Sequence, residues 1–370
     1  MSVLRRLPLL LAPVAVVAAL LGWPPAVVFA LAFIALIPLA NAMSHATEAL
    51  ATHFGPKTGG LLNATLGTLT ELIIMFALLR SGQTELLKAS IVGSILISLL
   101  LTVGAAILFG GLRHGIQRFD TESVGLASTT MILAVVGLFV PTFLAIVIQR
   151  QEGIPVTSSF QNAAVDKLSL AVAAVLFLLY LVTVIYQLRS PAGEESLRQK
   201  PSAAHPPQIA EWSRARAGGV LLAATLGIAV VAEILSRVVG PFGTAFGLSP
   251  LFVGIVILPV VGAISEIVTC VRLARGNMVD LSISIPLNGA MQMSLFVVPL
   301  LVFLSAFSAT PLTLSFAMAE VIAVVITVAL AAYIGIDGRT SWLEGAQLLA
   351  LWGILAFFFL FYQPLPLVGR

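Results

Sequence analysis

The sequence predicts an all-α polytopic membrane protein with eleven transmembrane helices, one extra helix followed by two inverted five-helix repeats. Three observations lead there. The 370-residue chain is 59% hydrophobic and 9% charged, with a mean hydropathy of +1.09, whereas soluble domains carry about 25% charged residues. Apolar runs near the ~20 residues needed to cross a bilayer recur along its whole length. Two of those runs, NATLGTLTELIIMFALLRSG and LPVVGAISEIVTCVRLARGN, align at a constant offset of 195 residues, which pairs Gly67 with Gly262, Glu71 with Glu266 and Arg80 with Arg275.

Taken in order, the apolar runs fall at 7–22, 25–50, 59–80, 86–110, 123–148, 162–187, 217–238, 249–273, 279–306, 312–334 and 342–362. The first follows Arg5 and Arg6 without a clear small-residue cleavage site, so it reads as a retained helix (1–24) rather than a signal peptide. Residues 25–187 then form the first repeat. Residues 188–216, with Pro191, Pro201, Pro206, Pro207 and mixed charges, read as a linker. Residues 217–370 hold the second repeat. With the N-terminus inside, thirteen of the nineteen Lys and Arg residues fall on the cytoplasmic side, as the positive-inside rule requires. Five helices per half insert the two halves in opposite directions. The linker is then cytoplasmic, and the absence of appended domains points to a prokaryotic inner membrane.

Other function classes are disfavoured by composition. A net charge of +3 spread over loops is no nucleic-acid signature, and a lone Cys270 allows neither an intramolecular disulfide nor a cysteine-rich metal site. An intramembrane hydrolase would carry a motif such as His-Glu-x-x-His, which the chain lacks. The partners implied are the lipid bilayer and inorganic cations.

A carboxylate within a bilayer costs roughly 2.5–3.5 kcal/mol on insertion scales. Two at matching places in two repeats point to a cation site between them, with Glu71 and Glu266 as metal ligands. Gly67 with Thr65, Thr68 and Thr70, and Pro259 and Gly262 with Ser265, weaken the helices beside the acids and are expected to break them, which frees carbonyls. Calcium takes 6–8 oxygens, so backbone, hydroxyls and water must add to the two carboxylates. Supporting lining is expected from Asn63, Thr65, Gly67, Thr68, Ser94, Ser98, Gly262, Ser265, Asn288 and Gln292. The plainer alternative is an interhelical hydrogen bond between protonated glutamates, with Gly and Thr serving helix packing. Glu48, beside His45 at the end of the second helix, is a candidate entrance. Glu320, placed near the middle of the tenth helix, is weighed between an interior hydrogen bond and a proton path. Glu233 and Arg237 are spaced for an ion pair. Ser341 and Glu344 fit a capping box.

The segments ATEALATHFGPKTGGLLNAT, TELIIMFALLRSG and KASIVGSIL, then LPVVGAISE, NMVDLSISI, QMSLFVVPLLV and DGRTSWLEGAQLL, resemble the calcium/proton exchangers of the cation/calcium antiporter superfamily, from about residue 30 onward. The resemblance implies eleven helices and alternating access, with Glu71 and Glu266 as the acids that bind the ion and exchange protons. Ca²⁺ and H⁺ are then the transported species, and no cofactor is implied. Where that family commonly reads Gly-Asn-Ala-x-Glu, this chain has Thr68 and Ala263 at the Asn positions. Ile267 replaces a His and Ser98 an Asn, and Asn288-Gly289-Ala290 stands for Gly-Ser-Ser. Those departures keep a Na⁺/H⁺ or other divalent cation/H⁺ antiporter, or a non-transporting relative, as alternatives.

Overall fold

A computed structural model describes residues 11–54, 65–154, 156, 160, 162–189, 212–307 and 311–362. Its helices are α1 (Leu11–Leu20), α2 (Pro25–Ala51), α3 (Leu69–Arg80), α4 (Thr84–His114), α5 (Thr121–Gln151), α6 (Ala163–Arg189), α7 (Arg214–Ala245), α8 (Pro250–Arg275), α9 (Val279–Ser305), α10 (Met318–Ile336) and α11 (Trp342–Phe361). Among the described residues nine helices are long and apolar enough to cross a membrane, which makes this an integral membrane protein. The other two expected spans, 7–22 and 59–80, are described only in part, as α1 and α3. Most of the linker, 190–211, lies outside the described residues.

Element boundaries repeat at the offset read from the sequence. α3 and α8 end at Arg80 and Arg275, and α4 and α9 begin at Thr84 and Val279. α4 carries a π-helical turn at Ile97–Thr102, and α9 carries one at Met293–Val297, the equivalent place. A third π turn, Val253–Ile257, opens α8. Pro259 and Pro299 each follow a π turn by two residues. A proline has no N–H for the carbonyl four residues back, so the α ladder cannot close there. The carbonyl that Pro259 leaves free, Ile255, points at Gly93 of α4, where a methyl group would collide with it. Glycine at 93 therefore sets how closely α4 and α8 cross.

Two expectations change here. Gly262 does not break its helix: α8 is continuous α-helix from Leu258 to Arg275, and the irregular turn lies earlier. In the first half the break falls at Thr68 (φ −93°, ψ 5°). The tenth span begins at Met318, not 312. Residues 311–317 are extended and largely buried. Four of their amides are satisfied by side chains: Ser305 Oγ accepts from Leu312 N (2.8 Å), Ser169 Oγ from Leu314 N (3.0 Å), Thr142 Oγ1 from Phe316 N (3.0 Å) and Glu320 Oε2 from Ala317 N (2.8 Å). Non-helical backbone at membrane depth survives only where protein satisfies it in this way.

Glu320 thus sits in the first turn of α10 rather than its middle, and it caps the helix. It faces Lys88, which is buried; Lys88 Nζ is 3.5 Å from Glu85 Oε1 and donates to Thr313 Oγ1 at 3.4 Å. Replacing Lys88 by Met should destabilise the protein by about 3 kcal/mol. That is the low end for breaking a buried pair, because Glu85 keeps 40% of its side chain exposed. Thermal unfolding in detergent checks it; an unchanged Tm would show that the ammonium holds nothing together. Two other expected contacts are present. Arg237 pairs with Glu233 at 3.0 Å, and Glu344 Oε2 accepts from Ser341 N at 2.8 Å.

The long helices α2 and α7 lie against each other. Phe29 and Phe242 stack at 3.9 Å near one end. Near the other, His53 Nε2 meets the Trp212 carbonyl (2.8 Å) and Arg214 donates to the His53 carbonyl (3.1 Å). The loop after α4 and the loop before α11 join in a two-residue antiparallel ladder, Gln117↔Thr340 and Arg118↔Arg339.

Candidate ion-binding site

Glu71 enters from the first turn of α3, directly after the break at Thr68. Glu266 enters from the middle of α8. The two halves bring both carboxylates into one cavity of about 180 Å³. At ~30 Å³ per liquid water, that volume holds a cation with several waters still attached. The cavity reaches the surface beside His45 and Glu48 of α2, which lie 3.8 Å apart.

Each acid rests on a glycine. A methyl group at Gly262 would lie 2.9 Å from Cγ and 3.0 Å from Oε1 of Glu71. One at Gly289 would lie 3.7 Å from Glu266 Oε1 and 3.9 Å from Ser98 Oγ. Glu71 of the first half is therefore seated on the backbone of α8, the helix of the second half that carries Glu266. Glu266 Oε1 and Thr68 Oγ1 are buried oxygens with no hydrogen-bond partner among the described residues. An unpartnered carboxylate oxygen is costly, and here it is the donor atom a cation would take. Counting side-chain oxygens of Glu71, Glu266, Thr68, Ser98, Ser265, Asn288 and Gln292, the cavity supplies enough for a calcium shell of 6–8.

Of the residues singled out from the sequence, Glu71, Glu266, Gly67, Thr68, Ser98, Gly262, Ser265, Asn288, Gln292 and Glu48 line this cavity. Three described ones do not. Thr65 bonds the hydroxyl of Tyr180 on α6 (3.4 Å). Ser94 is buried away from the lining with an unpartnered hydroxyl. Glu320 belongs to the Lys88 cluster. Asn63 lies outside the described residues. Sequence reading missed Asn41, Ser44, Thr70 and Thr269 as lining residues. Asn41, Ser44 and Glu48 follow one helical face of α2 at i, i+3 and i+7, so their periodicity was available as a signal. Met43 of the same helix accepts long contacts from Thr70 (4.0 Å) and Thr225 (3.8 Å), so a polarizable thioether lies between α2, α3 and α7.

A helical membrane fold with paired acids in a cavity between two related halves defines a secondary cation transporter rather than an enzyme. The sequence pattern of the sodium/calcium exchanger protein family matches residues 24–189 and 217–361, and the chain belongs to that family, among its calcium/proton exchangers. It is 35% identical over 374 residues to a Ca²⁺/H⁺ antiporter of Synechocystis, covering 96% of this chain and 97% of that one. It is also 35% identical over 347 residues to the Ca²⁺/H⁺ antiporter ChaA of Bacillus subtilis, covering 93% and 95%. The crystal structure of the selenium-substituted Ca²⁺/H⁺ antiporter YfkE superposes with a TM-score of 0.79 at 32% identity, over 98% of this chain and all of that one.

Proposed function

We propose that this protein exports cytoplasmic Ca²⁺ in exchange for H⁺ by alternating access, with Glu71 and Glu266 as the shared site. The observation that carries the proposal is the convergence of the two acids, one from each half, in a cavity that His45 and Glu48 also line. With both carboxylates ionised, the site holds Ca²⁺ at zero net charge; with both protonated it is again neutral. Empty and doubly charged, it resists reorientation, because two bare carboxylates are costly in low dielectric. Two protons then exchange for each Ca²⁺, and Ca²⁺ affinity rises with pH, since the ligands must be deprotonated.

The architecture we assign is eleven transmembrane helices, with inverted repeats at 25–187 and 217–370 and the N-terminus cytoplasmic. The repeated boundaries and π turns support it. In this frame His45 and Glu48 lie at the cytoplasmic mouth. The helices α2 and α7 act as the gate. Because they are tied together at both ends, we assign them one joint sliding motion over the remaining helices.

The test is proton flux in inside-out vesicles, with a pH gradient imposed and Ca²⁺, Na⁺, K⁺, Mg²⁺ or Mn²⁺ then added. Collapse of the gradient by Ca²⁺, at two protons per ion, is expected. Collapse by another cation alone would move the assignment to a different antiporter of this fold. The alanines at 263 and 290 favour that second reading, because they supply no side-chain oxygen. No response to any cation would leave a fold without transport.

A further inference from the structure

The face on which the cavity opens carries a cluster of arginines with no ion pair among the described residues. α4 runs from Gln83, which donates to the Ser236 carbonyl far along α7, to His114 at the opposite end. The loop after α4 is therefore on the same face as His53 and Arg214. There the ladder sets Arg118 directly opposite Arg339. Like charges opposite one another across antiparallel strands are destabilising. His114 Nε2 contacts the Arg275 carbonyl at 2.9 Å, and Gln117 donates to the Ala274 carbonyl at 3.1 Å, so the end of α8 brings Arg275 to the same place. Arg113 stands one residue before His114. Arg113, Arg118, Arg275 and Arg339 are all exposed, and none is ion-paired among the described residues. Three aspartates share this face: Asp280 accepts from the Asp120 amide at 2.6 Å, and Asp337 ends α10. No ion pair between them and these arginines is found among the described residues.

Apolar side chains flank the cluster. Ile116 and Ile336 are each 69% exposed, and Trp342, whose backbone packs on Gly111, is 48% exposed. Exposed apolar groups with a tryptophan, directly beside guanidinium groups, mark the level where acyl chains give way to headgroups. The opposed arginines need a polydentate anion, and a phosphate matches the guanidinium fork. Juxtamembrane basic clusters are drawn to an anionic membrane surface, and salt screens that attraction.

We propose that this face binds the phosphate headgroups of anionic phospholipids, which bridge Arg118 and Arg339. Because the ladder joins a loop from each half, a bridging headgroup ties the halves together on the face where the cavity opens. The proposal is independent of the ion carried.

To test it, purified full-length protein in neutral detergent is titrated with phosphatidylglycerol, phosphatidylcholine or inorganic phosphate. Tm and the lipids retained in native mass spectrometry are read. Phosphatidylglycerol should raise Tm and be retained, and salt should weaken the effect. The double variant Arg118→Gln/Arg339→Gln should lose that rise, while starting from a Tm no lower than wild type because a like-charge pair is gone. Arg237→Gln, ~35 Å along α7 from Arg214, should keep the rise. An equal rise with phosphatidylcholine, or one surviving in the double variant, would overturn the proposal. So would inorganic phosphate reproducing the whole rise, since the site would then take free anions. If the double variant does not fold, the wild-type comparison of the two lipids and its salt dependence still decides.

Discussion

Replacing either Glu71 or Glu266 by Gln is expected to abolish Ca²⁺-driven proton flux, with a loss of at least about 100-fold. Removing one charged partner from a buried ionic site costs about 3–5 kcal/mol, and each 1.4 kcal/mol is tenfold. Charge balance makes the two positions equivalent. With one carboxylate left, bound Ca²⁺ leaves the cavity at +1, and a single proton now neutralises the empty site. Both the divalent-loaded state and the two-proton state are therefore lost. Calcium titration calorimetry on the purified variants, together with vesicle flux, checks this. Flux at an unchanged proton-to-calcium ratio in either variant would contradict the shared-site scheme. The folded state should survive, because Gln keeps the shape of the side chain and removes a burial cost.

The second large effect is expected from Gly262→Ala. The new methyl group would sit 2.9 Å from Cγ of Glu71, inside contact distance. What it meets is the flexible end of a side chain, so the helices need not move. The Glu71 carboxylate must shift from its seat instead, and a site held to within about 0.5 Å for function does not tolerate that. Transport should fall by an order of magnitude or more while Tm changes little. Gly289→Ala is the matched control. Its methyl would lie 3.7 Å from Glu266, an ordinary contact, and flux should stay within a few-fold of wild type. Equal effects of the two substitutions would show that the glycines serve helix packing and not the seating of the acid.

The part of this molecule legible in its sequence is the part encoded by local periodicity and by cost. Glu71 and Glu266 stood out because an acid in an apolar run is expensive, and because the offset of 195 pairs them. Glu344 and the Glu233–Arg237 pair were legible because their partners lie three or four residues away. The start of α10 was not. Residues 311–317 look like membrane helix by hydropathy, and they are held extended by Thr142 and Ser169, hydroxyls from helices far away in sequence. The contact between Lys88 and Glu320 escaped for the same reason, since the two residues lie in different halves of the chain. Asn41 and Ser44 were overlooked because short polar residues in an apolar helix also serve packing, and only the cavity distinguishes the two uses.

A π turn is what a single-residue insertion leaves behind in an α-helix. The chain carries one at Ile97–Thr102 and another at the corresponding position, Met293–Val297, although the two stretches share little sequence and only the second precedes a proline. Two independent insertions at one register are a less economical history than inheritance. On the repeat architecture we propose, the extra residue predates the duplication, and the ancestral half-length chain already carried the widened turn. Each half has since rewritten its side chains around that inherited irregularity without deleting it. Deletion would rotate everything downstream by about 100° and turn the buried face of the helix toward lipid.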